Sequence, residues 1–278
     1  MRLHHETFTA PGATPTEAVV FLHGILGSGG NLRSHARRFI AGAPQYLAVL
    51  MDLRAHGQSQ GAEGPDTVAQ AARDVADTAA ALPVPVTAVV GHSFGGKVAL
   101  ALPEVLPSLA DVLTLDSAPG PRLDARGSEA TVRVLSMLGE LQGPFASRED
   151  FVAQVEARGQ ARMLAQWLAM NLERTERGFA LRLSLPRITA LLDDYFEVDL
   201  WPRVEAAARG EGPRVHLVIA TRSRVYEHDQ RVRAHALEAA AQGRVTVDLV
   251  EAGHWLHVEA PDGVAEVLAR RLGQRPTA

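Results

Sequence analysis

One hydroxyl stands apart in this sequence: Ser93, in the run Gly91-His92-Ser93-Phe94-Gly95-Gly96. An apolar run precedes it and a helical pattern follows it. Gly-x-Ser-x-Gly in that setting is the spacing of a strand–turn–helix elbow that lifts a serine out as a nucleophile. Residues two before and two after the serine come close to each other and to neighbouring strands, so positions 91 and 95 need glycine. Gly96 extends that tolerance to the packing of the helix. The hydroxyl would stand at a helix N-terminus, where the dipole favours developing negative charge. The competing reading is a Gly-rich turn with a structural role alone.

Acyl transfer at a serine needs a base, an oxyanion site and a carboxylate. His254, in Gly253-His254-Trp255-Leu256-His257, follows the last strand and suits the Ser…acid…His order of this architecture. His257 is expected to face elsewhere, and a two-His metal pair lacks a third ligand nearby. The remaining histidines read as structural or solvated, His35, His56 and His92 among them. The oxyanion donors would be the Phe94 N–H and one from His23-Gly24-Ile25-Leu26-Gly27-Ser28-Gly29-Gly30, with Ile25 first and Leu26 as alternative. That glycine-rich run lacks the spacing and lysine of a phosphate-binding loop. For the acid, the chain after the strand ending at Ala220 offers only Glu227 and Asp229, the latter at a helix start where a cap explains it. Asp116 closes the apolar run Val112–Leu115, next in order after the elbow strand, and is the preferred choice. Ser223 could then support the His–Asp pair by a hydrogen bond. Asp52-Leu53-Arg54-Ala55-His56-Gly57-Gln58-Ser59 reads as a loop tied by an Asp–Arg pair and a Gly turn.

Short apolar runs must position these groups. They cover 18–22, 46–51, 84–90, 112–115, 215–220 and 245–250, and each ends near one of the clusters above. Runs this short and continuously apolar suggest strands buried on both faces of a parallel sheet. Helical patterns lie between them, at about 68–81, after Gly91, at 229–241 and at 263–272. Pro103 and Pro107 should stop the helix after the elbow near Leu102. The expected fold is α/β, a mostly parallel sheet flanked by helices. From 119 to 214 the alternation lapses, with helical segments at 128–141, 148–158 and 160–172 and no convincing strand. We therefore expect a core of 1–119 and 201–278 and a helical cap of 120–200 inserted between two sheet strands. The cap's Phe145, Phe151, Met163, Trp167, Met170 and Phe179 suit helix packing first and an acyl-chain pocket second.

Composition narrows the function. The chain has 278 residues, 46% apolar and 22% charged, with a net charge of −4 and no basic block, which argues against nucleic acid as a partner. Cysteine is absent, which excludes thiol nucleophiles and Cys-type metal sites. No apolar stretch approaches the ~20 residues of a membrane span. The N-terminus is polar without a signal-like core, so a soluble cytoplasmic protein is expected. Lys97 is the sole lysine, and it could sit where a guanidinium does not fit.

Together His23-Gly24, Asp52-x-Arg54-x-His56-Gly57-x-Ser59, Gly91-His92-Ser93-Phe94-Gly95-Gly96-Lys97, Leu115-Asp116-Ser117-Ala118-Pro119 and Gly253-His254-Trp255-Leu256-His257 resemble an α/β-hydrolase. More narrowly, they are similar to abhydrolase-domain esterases with a Gly-His-Ser-x-Gly-Gly-Lys elbow. The likeness runs from about residue 18 to 272 and is loose in the insertion. It implies a cofactor-free serine hydrolase acting on small carboxylic esters or thioesters beneath a helical cap. Relatives with an Asp at the place of Asp116 can use it as the triad acid. Thr221-Arg222-Ser223-Arg224 departs from the pattern, since many relatives carry an Asp close to Gly there. Other cofactor-free chemistry on the same fold, or a binding module that kept the pocket, are the competing functions. The intact serine, histidine and donor loop argue against the module. Oligomeric state and the physiological substrate are not legible.

Overall fold

The computed structural model describes residues 1–61, 63–122 and 129–273. In chain order the elements are β1 (His5–Phe8), β2 (Glu17–Leu22), α1 (Arg33–Gly42), β3 (Tyr46–Met51), α2 (Val68–Ala79), β4 (Val86–His92), α3 (Phe94–Ala101) and β5 (Asp111–Leu115). Then follow α4 (Glu129–Glu140), α5 (Arg148–Glu156), α6 (Arg162–Leu168), β6 (Leu172–Thr175), β7 (Gly178–Leu181), α7 (Leu185–Glu197) and α8 (Trp201–Ala208). The chain closes with β8 (Arg214–Ala220), α9 (His228–Ala240), β9 (Val245–Val250), α10 (Leu256–Glu259) and α11 (Pro261–Leu272).

Seven strands form one sheet in the order β1-β3-β2-β4-β5-β8-β9, and all pairings are parallel except that of β1 with β3. The apolar runs are the buried strands. Along β2, Val20 and Leu22 join one core, with α2 and α3, while Val19 and Phe21 join the other, with α1 and α11. Burial on both faces is why these strands read as continuous apolar runs and not as alternating ones. β1 escaped the sequence reading. It is a four-residue antiparallel edge strand, only partly buried, so its sequence carries no apolar run.

The elbow helix ends at Ala101 and passes into a 3-10 turn over Leu102–Glu104, as the prolines require. The insertion holds α4 to α7; residue 128 of the expected 128–141 helix, like the rest of 123–128, lies outside the described residues. A correction applies at 172–181, where β6 and β7 form a hairpin in a stretch read as free of strands. Neither strand alternates between buried and exposed positions, so no period of two was there to find.

Lys97 fastens the insertion to the core. It is fully buried on α3, and its ammonium donates to the Gly120 carbonyl at 2.8 Å, Tyr195 at 2.6 Å and Val198 at 2.9 Å. Gly120 lies in the chain that follows β5, and Tyr195 and Val198 lie at the end of α7. Three carbonyls converging on one nitrogen suit a compact ammonium with three donors, and a planar guanidinium cannot aim its forked donors at one point.

Candidate active site

β4 delivers Ser93 to the sheet's carboxyl edge. The backbone there turns sharply into α3, with Ser93 at φ 52° and ψ −117°, a strained conformation that close packing holds. A Cβ on Gly91 would lie 2.1 Å from the Gly95 carbonyl oxygen, and one on Gly95 would lie 2.5 Å from that of His23. Both glycines of the elbow are thus sterically required. The Ser93 N–H donates to the Leu115 carbonyl at 3.1 Å, which ties the elbow to the end of β5.

The next residue is Asp116, fully buried and itself at φ 46°. One carboxylate oxygen accepts from the Ala220 N–H at 3.2 Å, and the other accepts from His254 Nδ1 at 2.7 Å. His254 Nε2 in turn accepts from Ser93 Oγ at 3.0 Å. Three residues from the ends of β4, β5 and β9 therefore form one continuous hydrogen-bonded chain. Glu227 and Asp229 are exposed at the start of α9. Ser223 does not make the bond expected of it. Its Oγ accepts from the Val225 N–H at 3.1 Å, closing a local turn. The backbone of Ala220 supports Asp116 instead.

Phe94 opens α3, directly after Ser93, so its N–H has no acceptor within the helix. Of the two residues weighed in the loop after β2, Leu26 is excluded as a donor, because its N–H is committed to His56 Nε2 at 3.0 Å. The Gly24 carbonyl accepts from Gly27 N–H at 3.0 Å and from His23 Nδ1 at 2.8 Å. A planar trans peptide then sends the Ile25 N–H the opposite way.

The loop after β3 needs a correction. Asp52 does not pair with Arg54; it accepts from the Gly29 N–H at 2.8 Å and the Gln58 N–H at 2.9 Å. Arg54 reaches away to Asp66 and Asp74. Asp52 thereby joins two loops and sets His56 against Leu26. His56 and His92, which the sequence groups with the structural or solvated histidines, are structural, and His56 accepts from the Leu26 N–H. His92 Nε2 donates to the His254 carbonyl at 2.9 Å, steadying the segment that carries His254. The only sequence signal for either was its place inside a motif.

Five histidines around this edge are buried and held neutral. Burial is the largest cause for each. It lowers His23, His35 and His92 below the ordinary value, and brings His56 and His257 to about 3. In the unfolded chain each titrates near ~6.5. Below that pH the unfolded state binds protons that the fold refuses, so stability falls with pH by up to about 1.4 kcal/mol per unit per histidine. We expect the urea midpoint, followed by tryptophan fluorescence, to hold above pH ~6.5 and to drop steeply toward pH ~4.5. A flat midpoint over that range would mean that these histidines ionise within the fold.

The Ser93 hydroxyl opens on a cavity of about 600 Å³. Its walls include Val134, Leu164, Trp167, Leu192 and Tyr195 from the insertion. The insertion's aromatics thus divide. Trp167 faces the cavity, whereas Phe145 and Phe151 pack edge to face at 5.0 Å. Among the described residues no three His, Cys, Asp or Glu side chains gather as a metal site would need, and no helix is long and apolar enough to cross a membrane.

Comparison with known proteins agrees with this architecture. The chain is 26% identical to esterase YbfF of Escherichia coli over 275 residues, which covers 98% of this chain and 99% of the esterase. It is 26% identical to mouse sn-1-specific diacylglycerol lipase ABHD11 over 271 residues, covering 93% of this chain and 83% of the lipase. A solved marine microorganism esterase superposes with a TM-score of 0.80 at 20% identity, covering 98% of this chain and 99% of that one. The profile of the alpha/beta hydrolase family matches residues 19–267, and the chain belongs to that family.

Proposed function

We propose that the protein is a serine hydrolase that cleaves carboxylic esters or thioesters through an acyl-enzyme on Ser93. The observation that carries this reading is the chain from Ser93 Oγ to His254 Nε2 at 3.0 Å and from His254 Nδ1 to Asp116 at 2.7 Å, at the floor of a largely apolar cavity. Ser93 attacks the acyl carbon as His254 takes its proton. The Ile25 and Phe94 N–H groups receive the oxyanion. Collapse expels an alcohol or thiol, to which the His254 imidazolium returns the proton. Water then enters and attacks the acyl carbon as His254 takes its proton, and collapse releases the acid while His254 returns that proton to Ser93 Oγ. Asp116 keeps the Nδ1–H tautomer and stabilises the imidazolium. The insertion covers the site and limits the water that reaches it. The relatives named esterase and lipase support the substrate class, and the apolar walls favour an apolar acyl group.

The test is a fluorophosphonate serine probe followed by a panel of p-nitrophenyl esters and matched thioesters. Covalent mass on the peptide containing Ser93, with turnover of members of the panel, is the expected result. The absence of both labelling and turnover would overturn the proposal.

A further inference from the structure

Leu26 sits in the left-handed region, at φ 63°, where a branched side chain crowds the backbone. Such a residue persists only if its surroundings hold it. Both of its peptide planes are held. Its N–H donates to His56 Nε2 at 3.0 Å, and its carbonyl accepts from the side-chain amide of Asn171 at 2.9 Å. The two clamps come from different parts of the molecule. His56 belongs to the core, fixed by its own Nδ1 donating to the Arg54 carbonyl at 2.9 Å. Asn171 belongs to the insertion, 145 residues away in sequence, and is buried.

Asn171 is well braced for such a task. Its carbonyl accepts from the Arg182 N–H at 2.9 Å, which fixes it to the chain beyond β7. The Arg148 guanidinium donates to the carbonyls of its neighbours Ala169 and Leu172. Leu26 is in turn bonded to the donor next to it, because the Ile25–Leu26 peptide cannot rotate without breaking the His56 bond, and the Leu26–Gly27 peptide cannot rotate without breaking the Asn171 bond. A rotated Gly27 would release the Gly24 carbonyl, and with it the direction of the Ile25 N–H.

We propose that Asn171 is a positioning residue for the oxyanion hole, through which the seated insertion holds the Ile25 N–H in its donating orientation. The inference rests on the serine-hydrolase reading and deepens it. Chemistry at Ser93 then becomes fully competent only with the insertion in place, since leaving its seat removes one of the two clamps on Leu26.

Asn171→Leu keeps the heavy-atom count and the branch at Cγ and removes the amide. A misaligned donor weakens transition-state binding more than ground-state binding, so kcat for p-nitrophenyl acetate should fall about 10- to 100-fold with KM within about threefold. Labelling by fluorophosphonate should slow by a similar factor, because its phosphoryl oxygen occupies the same hole. Asn171→Asp, of equal size, is the second variant. Its carboxylate cannot donate and its protonated form can, so kcat should be low at alkaline pH and recover in part on acidification, an ionisation absent from the wild type. A structural role alone gives no such recovery. Wild-type kcat in either folded variant overturns the proposal, as do losses that follow melting temperature while the labelling rate is unchanged. A wild-type protein that neither labels nor turns over removes the hydrolase reading as well, whereas a reactive wild type with unaffected variants removes this inference alone.

Discussion

Ser93→Ala is expected to abolish ester turnover, by about 10⁶-fold in kcat where a nucleophile and its partners act as a unit. The size follows from the geometry. Ser93 Oγ is the atom that His254 Nε2 reaches, and the sequence holds no thiol to replace it. The substitution should leave the fold intact. The strained backbone at position 93 is held by the Ser93 N–H bond to Leu115 and by the close packing of Gly91 on Gly95, neither of which uses the hydroxyl. Alanine tolerates the positive φ no worse than serine, and the fully buried neighbours on α3 are untouched. The measurement is kcat/KM on the best ester of the panel, paired with a thermal melt. Near-normal turnover from pure variant protein, with an unchanged melt, would move the chemistry away from the elbow altogether.

The elbow was legible because steric need and chemistry act on the same five positions. A glycine two before and two after the serine is forced by contacts of the kind seen between Gly91 and Gly95. The strands were legible for a related reason: β2 to β5 and β8 are buried on both faces, so most of their residues are apolar. Where burial is partial, that signal fades. β1 buries little at the sheet edge, and the β6–β7 hairpin lies half-exposed on the insertion. The supporting contacts were less legible still. The bonds from His56 to Leu26 and from Asn171 to Leu26 span 30 and 145 residues and run from side chain to backbone. A backbone partner has no residue type, so no pairing of letters marks it. Ser223 illustrates the reverse error: a residue type suited to support the His–Asp pair spends its oxygen on a neighbouring N–H.

Asp116→Asn should lower kcat by about 10⁴-fold while leaving the fold and KM nearly unchanged. In the native site the carboxylate accepts on both oxygens, one from the Ala220 N–H and one from His254 Nδ1. The amide is the same size and can keep the Ala220 bond through its oxygen. Its NH₂ then faces Nδ1 and cannot accept from it. The imidazole is driven to carry its proton on Nε2, the atom that must accept from Ser93 Oγ, and the base is lost without any displacement of the ring. The carboxylate's stabilisation of the imidazolium is lost at the same time. Asp229→Asn serves as the control, because Asp229 is exposed in the first turn of α9 and should stay near wild type. The sign of the pair is what discriminates. A large loss at 116 with none at 229 assigns the acid to the end of β5, beside the nucleophile strand. The reverse would require His254 to leave a 2.7 Å partner for an acid exposed at the start of α9.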